Sequence, residues 1–457
     1  MKIALIAPTS IPSRRANTIQ VMKMAQALVL NGHEVHLAAP GVPPNGNSPN
    51  RTPPNKNSAS DMENGLKPVE KLVQTQTFQP VSTGFESQAM NSYSSPTDSS
   101  PPYSSLTFQH HYGLTVEFPI TWLTAHPRFR GYDFALRAVR FARRVPADLL
   151  YTRHPQTAAL SSLLGVPTIL EIHDLPQGQG KTLLRTYLKG RGQRRLIAIT
   201  NALADDLNIQ YRISHLSILP DGVDLSRYRD LPDPQTARAS LASQSPIPNS
   251  PFPIPPSQFT IGYTGHLYPG RGTDLLLTLA ARLPEFHFLL VGGNPEDVEN
   301  LKAQIRKSAN PQTSKPTNQS TDQPINRSPN LTLTGFIPNA DLPRYQAACD
   351  LLLMPYQRHV AASSGGDIAP YLSPMKLFEY LAAGRAILSS DLPVFREVLN
   401  PENAVLLPPD NADAWVNAIR ELHAHPEKRT ALGSRARQDA EKYTWEARAA
   451  KMLEGLG

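Results

Sequence analysis

A chain of 457 residues, 40% of them hydrophobic, is longer than one ordinary domain and rich enough in apolar side chains for two cores. Its one cysteine, Cys349, excludes an intramolecular disulfide framework and a cysteine-built zinc site, and favours a reducing compartment. A formal charge of +7 fits anionic ligands such as phosphates or acidic lipids, fits plain solubility equally, and comes with no RNA- or DNA-binding signature.

The opening Met1–Pro8 places one lysine before a short apolar run and then a proline, so a signal peptide is not expected. No run of about 18 apolar residues occurs, so no transmembrane helix is expected and a cytoplasmic location is. Lys2–Ala7 reads as a buried strand. Asn17–Asn31 carries Ile19, Met22, Ala25 and Leu28 at helical spacing and stops at Gly32. Strands follow at Glu34–Ala39 and Leu114–Phe118, then a helix at Tyr132–Arg144, a strand at Asp148–Thr152 and a helix at Thr157–Leu164. Pro167–His173, Arg195–Thr200 and Leu216–Leu219 complete a first set of strands, and strands alternating with helices imply a parallel sheet covered on both faces.

A second alternation starts at Phe259. Thr260–Thr264 reads as a strand, Asp274–Leu283 as a helix and Phe286–Gly292 as a strand. Leu331–Thr334, Asp350–Met354, Ala386–Ser389 and Ala404–Leu407 are further strands, and the tail from Asn411 is largely helical. Two doubly wound α/β domains in one chain are therefore expected. Three segments break the rhythm: 41–106, 243–257 and 308–329, all crowded with Pro, Ser, Asn, Gln or Thr. Such compositions bury too little apolar surface to offset the entropy of ordering, and they read as disordered surface insertions.

Three motifs carry chemistry, each with a plainer structural reading beside it. In Ser373–Gly384, Ser373 suits an N-cap, Pro374 the first helical position and Gly384 the stop. A helix start at the mouth of a parallel sheet attracts anions, Lys376 adds charge there, and Glu379 lies one turn in, within reach of ribose hydroxyls. The alternative is an amphipathic helix with a surface Lys–Glu pair. In Tyr263–Asp274 a strand runs through a Gly-rich loop, Gly265 to Gly272, into a helix. The glycines let backbone approach a ligand, and Arg271 offers a forked donor for phosphate oxygens; otherwise it is a strand-to-helix turn with a solvated arginine. The loop is neither a Walker loop nor a dinucleotide fingerprint. In Glu171–Leu175, His173 sits at the end of an apolar strand, where it either orients a sugar hydroxyl or is structural.

Weaker signals are the turn Pro220–Asp224, a candidate hinge, and the basic loop Ser13–Asn17, whose Arg14, Arg15 and Asn17 are acceptor-side candidates. No Asp-x-Asp pair is present, so no metal site and no cofactor are expected. The helix Tyr132–Arg144 carries Arg137, Arg140, Arg143 and Arg144, a face that either is simply solvated or makes peripheral contact with an anionic membrane at its inner side.

Taken together and in this order, Glu171–Leu175, Ile218–Asp224, Gly265–Gly272 and Ser373–Asp391, with the opening Met1–Ala7 and Asn31–Val35, resemble glycosyltransferase family 4. The resemblance spans most of the chain outside the three insertions. It implies the GT-B fold: two Rossmann-like, doubly wound parallel-sheet domains facing a cleft, at 1–222 and 223–440, with 441–457 a helix crossing back to the first domain. It further implies a retaining, metal-independent hexosyltransferase of cell-envelope or polysaccharide biosynthesis, using a UDP- or GDP-sugar and a glycan, lipid-linked or small-molecule acceptor, with no nucleic acid partner. By the family pattern Glu379 matches the ribose-binding glutamate, Arg271 the diphosphate-contacting basic residue and His173 the histidine beside the transferred sugar. Gly265, His266, Ser373, Lys376 and Leu377 fall in the donor site, with His173, Arg271 and Lys376 as the catalytic candidates. Two departures stand out. The family's Glu-x7-Glu has Tyr371 in place of its first glutamate, and the usual arginine of the Gly-rich loop is His266. They motivate the alternative of an inactive relative acting as a binding or partner subunit.

Overall fold

Lys2–Ile6 is five residues of KIALI with everything after the lysine buried, as expected of a strand covered on both faces, and it forms β1 of the first sheet. The structure, a computed structural model, describes residues 1–41, 74–76, 105–213, 215–243, 256–309, 330–361 and 366–456. After β1 come α1 (Ala16–Leu30), β2 (Glu34–Pro40), β3 (Gln74–Gln76), α2 (Ser105–Tyr112), β4 (Ile120–Leu123) and α3 (Tyr132–Arg144). Then follow β5 (Leu149–Thr152), α4 (Pro155–Leu163), β6 (Thr168–Ile172), α5 (Gln179–Lys189), β7 (Gln193–Ala198), α6 (Asn201–Tyr211) and β8 (Leu216–Ile218). Their sheet has the order β3-β4-β2-β1-β5-β6-β7-β8. β1 pairs in parallel with β2 and β5, whereas the short edge strand β3 runs antiparallel to β4.

After α7 (Pro234–Ser243) a second sheet alternates with helices: β9 (Thr260–Thr264), α8 (Thr273–Arg282), β10 (His287–Val291), α9 (Pro295–Ala309), β11 (Leu331–Gly335), α10 (Leu342–Ala347) and β12 (Leu351–Met354). It closes with α11 (Met375–Ala383), β13 (Ala386–Ser390), β14 (Val405–Leu407), α12 (Ala412–Ala424), α13 (Pro426–Ala440) and α14 (Trp445–Leu453). The order is β11-β10-β9-β12-β13-β14, every pairing parallel. This is the doubly wound dinucleotide-fold order, whose direction reverses between β9 and β12, and ligands bind beyond the C-terminal strand ends at that reversal. Apolar clusters cover both faces of this sheet, one built on Phe288, Leu351 and Trp415 and the other on Leu352, Tyr380 and Phe395. By contacts the chain falls into two compact units, one of 1–109, 114–170 and 176–195, the other of 110–113, 171–175 and 196–457.

Two readings change. Leu114–Phe118 is not a strand: Thr115 gives its N–H to Gln26 Oε1, 2.6 Å away, rather than to a strand neighbour, and pairing begins only at Ile120. The segments 41–106, 243–257 and 308–329 lie almost wholly outside the described residues. Within the first, however, β3 joins the sheet and α2 begins at Ser105, so composition does not mark those positions as unstructured.

α7 is fastened to the second sheet through one buried arginine. Arg238 Nη1 donates to Asp350 Oδ2 at 2.8 Å and to the Ala348 carbonyl at 2.9 Å, and Asp350 Oδ2 also accepts the Thr260 N–H at 2.9 Å. Removing one partner of a buried pair leaves the other charge uncompensated, at a cost of about 3–5 kcal/mol. Arg238→Leu is therefore expected to lower the denaturant midpoint by that amount of stability; a change within about 0.5 kcal/mol, the range of surface substitutions, would show that α7 is not anchored here.

Candidate active site

The strand-order reversal between β9 and β12 puts two loops at one place, Gly265–Gly272 after β9 and the stretch after Met354. Their close approach requires glycine at two positions. Gly272 has φ +85°, and a Cβ there would lie 1.9 Å from the Pro355 carbonyl oxygen. Gly265 has φ +138°, and a Cβ there would lie 2.6 Å from Lys376 Nζ. The glycines thus bring the backbone of one loop against the Pro355 carbonyl and against the amine of α11.

Lys376, in the first turn of α11, is buried, with Nζ 3.9 Å from the centroid of the Tyr263 ring and 5.2 Å from that of Tyr356. Arg271 lies over the same Tyr356 ring at 5.0 Å and donates from Nη1 to its hydroxyl at 2.8 Å. Both cations rest on aromatic faces, a partial substitute for hydration. Among the described residues, Lys376 Nζ and Arg271 Nε have no hydrogen-bond partner. Burial first, and the Arg271 charge second, hold the Lys376 amine well below its ordinary value, with Glu379 pulling the other way. His266 stacks on Tyr268 with centroids 4.9 Å apart, and burial, then Arg271 and Lys376, lower it to about 4, so at neutral pH it is an uncharged ring.

Glu379 is half-buried one turn beyond Lys376, 3.5 Å from Gln346 Nε2, which also donates to Thr264 Oγ1 at 3.2 Å. One sequence reading needs correcting here. Ser373 does not cap α11: Pro374 is extended at φ −77° and ψ 131°, occupies the N-cap position, and makes no side-chain cap bond. Ser373 Oγ instead accepts the N–H of Asp221 at 3.1 Å, tying the turn after β8 to the helix start. Leu377 has a core side chain, and its N–H is bonded to the Pro374 carbonyl at 2.9 Å. Gly384 does stop the helix, in the left-handed conformation at φ 62°.

His173 stands just past β6, its Nε2 2.6 Å from Glu171 Oε1. Glu171 is fully buried, and its Oε2 meets Arg448 of α14 at 2.8 Å. Tyr371, in the position of the family's first glutamate, donates its hydroxyl to Asp206 Oδ2 at 2.6 Å; burial, then Asp206 and Asp174, push it up to about 12. Arg14 and Arg15 are exposed at the end of the loop between β1 and α1, and Asn17 is half-buried in the first turn of α1, at the strand-order reversal of the first sheet. Sequence reasoning missed Tyr356, Glu171 and Arg448. Tyr356 had a signal, an aromatic two residues past a buried strand at a reversal point. The Glu171–Arg448 pair spans 277 positions and had none.

Comparison with known proteins follows this geometry. Residues 258–425 match the family described as "Glycosyl transferases group 1" and residues 94–227 the one described as "Glycosyltransferase Family 4". The D-inositol 3-phosphate glycosyltransferase of Segniliparus rotundus is 26% identical over 64% of this chain and 60% of its own length. The phosphatidyl-myo-inositol mannosyltransferase of Mycolicibacterium smegmatis is 26% identical over 40% of this chain and 41% of its own. The chain thus spans less than two thirds of either relative. Among solved structures, sucrose-phosphate synthase from Thermosynechococcus elongatus matches over 99% of this chain and 97% of its own, with TM-score 0.62 and 17% identity. Anabaena HepE in complex with UDP matches over 100% and 99%, with TM-score 0.61 and 16% identity.

The state of Lys376 has a measurable consequence. Its folded-state value is lowered, so between that value and the ordinary 10.5 the unfolded chain binds the extra proton, and stability rises with pH through that window. Lys376→Met removes a buried donor that lacks a partner, and should stabilise the ligand-free protein by about 1–3 kcal/mol at neutral pH while flattening that rise. Thermal denaturation at a neutral and an alkaline pH checks both; a lower melting temperature in the variant would contradict them.

Proposed function

Because the chain belongs to the family 4-type glycosyltransferases of two-domain GT-B fold, we propose that it moves a hexose from a nucleoside-diphosphate sugar, UDP- or GDP-linked, to a glycan, lipid-linked or small-molecule acceptor. The observation that carries this is the pair Lys376 and Arg271, two cations at the β9–β12 reversal whose Nζ and Nε are buried without partners among the described residues. An anion with several oxygens, such as a diphosphate, supplies what both lack.

The reaction breaks the bond between the sugar C1 and the diphosphate oxygen. Charge grows on the leaving diphosphate, and Arg271 and Lys376 oppose it in a site where water is scarce. A leaving-phosphate oxygen takes the acceptor hydroxyl proton as the acceptor oxygen bonds C1 on the same face, so configuration is retained. Glu379 holds the ribose, His173 meets a hydroxyl of the transferred sugar, and Arg14, Arg15 and Asn17 serve the acceptor. Transfer without a divalent metal belongs to this proposal because the sequence has no Asp-x-Asp pair and Arg271 and Lys376 would supply the positive charge. The second reading, an inactive subunit that only binds a nucleotide-sugar, is favoured by Tyr371, whose hydroxyl is engaged by Asp206 where the family has a glutamate.

A panel of nucleotide-sugars read out by nucleotide release, with and without EDTA, tests the proposal. Release that EDTA does not suppress is expected; donor binding without turnover favours the second reading, and activity lost to EDTA and restored by Mg²⁺ or Mn²⁺ contradicts the metal-free mechanism. Glu379→Ala should weaken nucleotide binding roughly 30- to 1000-fold, from about 2–4 kcal/mol for a carboxylate accepting two hydroxyl bonds. Arg271→Ala should depress turnover strongly, because its charge opposes one that grows in the transition state.

Peripheral contact with an anionic membrane belongs to the same reading. No helix among the described residues is long and apolar enough to cross a membrane. Of the nine exposed large apolar side chains among the described residues, however, five (Phe129, Tyr132, Leu136, Leu163 and Leu164) lie along α3, its approach and the end of α4. Exposed arginines interleave with them: Arg128, Arg130, Arg140, Arg143 and Arg144. Apolar anchors among cations suit an acidic lipid surface. Flotation with acidic vesicles should show association at low salt that weakens as salt rises, and less of it for Phe129→Ser/Leu136→Ser. No association at low salt would end this part of the reading.

A further inference from the structure

We infer that Glu171 and Arg448 are positioning residues that commit His173 to its Nε2–H tautomer and so make its Nδ1 a hydrogen-bond acceptor toward the transferred sugar. The inference starts from Arg448, which is 4% exposed and fixed independently of Glu171. Its Nε donates to the Pro220 carbonyl at 2.8 Å and its Nη2 to the Leu219 carbonyl at 3.1 Å. Thr444 caps the helix that carries it, accepting the Ala447 N–H at 3.0 Å. The guanidinium thus presents Nη2 to Glu171 Oε2 at 2.8 Å from a place already set by the turn after β8.

A carboxylate that is fully buried and paired with arginine is ionised and can only accept. Its other oxygen, Oε1, lies 2.6 Å from His173 Nε2, so that nitrogen must carry the hydrogen. In the neutral ring Nδ1 then holds the lone pair. His173 therefore accepts from a sugar hydroxyl rather than donating to it, and the arginine of the last helix decides this through Glu171, as an outer partner orients an inner one. The sugar-facing role of His173 rests on the function proposed above; the tautomer does not.

The test reads the tautomer directly, by long-range nitrogen–proton spectra of protein labelled with 15N-histidine, the His173 signals being assigned with His173→Gln. The wild-type protein is expected to show the neutral Nε2–H form; an Nδ1–H form, or an imidazolium at neutral pH, overturns the inference without any variant. Glu171→Gln sharpens it. Arg448 should hold the amide oxygen toward itself, turning the amide NH2 to Nε2, so that His173 switches to Nδ1–H. The double variant Glu171→Gln/Arg448→Met frees the amide to turn and should restore Nε2–H. A tautomer unmoved by Glu171→Gln, or equally switched in the double variant, removes Arg448 from the scheme. On turnover, Glu171→Gln should lower kcat roughly 10- to 100-fold, the scale of a lost orienting partner, with nucleotide affinity unchanged. A preparation with no transfer activity but the expected tautomers would sink the proposed function and leave this relay standing.

Discussion

Placing an amine in a protein interior without a hydrogen-bond partner costs free energy that packing elsewhere must offset. Among the described residues Lys376 is in that position, laid on the Tyr263 ring at 3.9 Å with Gly265 against its end. The surrounding structure can be read as what holds it there. Tyr263 sits in the strand that leads into the loop, its hydroxyl fixed on the His266 carbonyl at 2.6 Å. Tyr356 is shared between Lys376 and Arg271. Burial and the Arg271 charge both disfavour a proton on Lys376, and a bound anion would oppose both.

The sheet supplies the place. Because β9 lies between β10 and β12, the loop after β9 and the stretch after β12 leave the sheet side by side, and α11 enters beside them. Glycine at Gly272 is the condition for that adjacency, since any side chain would meet the Pro355 carbonyl. At the far end of the strands, Asp350 holds the beginnings of β9 and β12 together and takes Arg238 from α7. The rigid end and the reactive end of the sheet are thus made by different chemistry on the same two strands, a division usual in doubly wound folds.

Much of this was legible from the residues. The long helix Tyr132–Arg144 coincides with its expected bounds, because Phe134, Ala138 and Phe141 repeat on one buried face. Thr260–Thr264 likewise coincides, being buried throughout. α5 was not foreseen, although Leu183, Leu184, Tyr187 and Leu188 recur at helical spacing on one face and Leu184 and Tyr187 are buried. Leu114–Phe118 alternates like a strand, yet its N–H at Thr115 is spent on Gln26. The positions of Lys376 and Arg271 followed from the strand–loop–helix grammar, but their aromatic bed and the Arg448–Glu171–His173 chain did not. Those depend on which residues meet across hundreds of positions, information that local pattern does not hold. Ser373 shows the same limit at short range: a residue well suited to capping was taken by a distant backbone N–H instead.

The central claim is that an anionic nucleotide completes the pair Lys376 and Arg271, and it can be read from protons. At about pH 8 a terminal phosphate is already ionised, so a diphosphate brings no proton of its own, whereas an anion beside Lys376 raises the lowered proton affinity of its amine, a gain in bound proton. Calorimetric titration of UDP and of GDP into the wild-type protein, in two buffers of different ionisation enthalpy, reports that gain. The account predicts binding of at least one nucleotide with net proton uptake. Binding with no dependence on buffer, or no binding of either nucleotide, would contradict it.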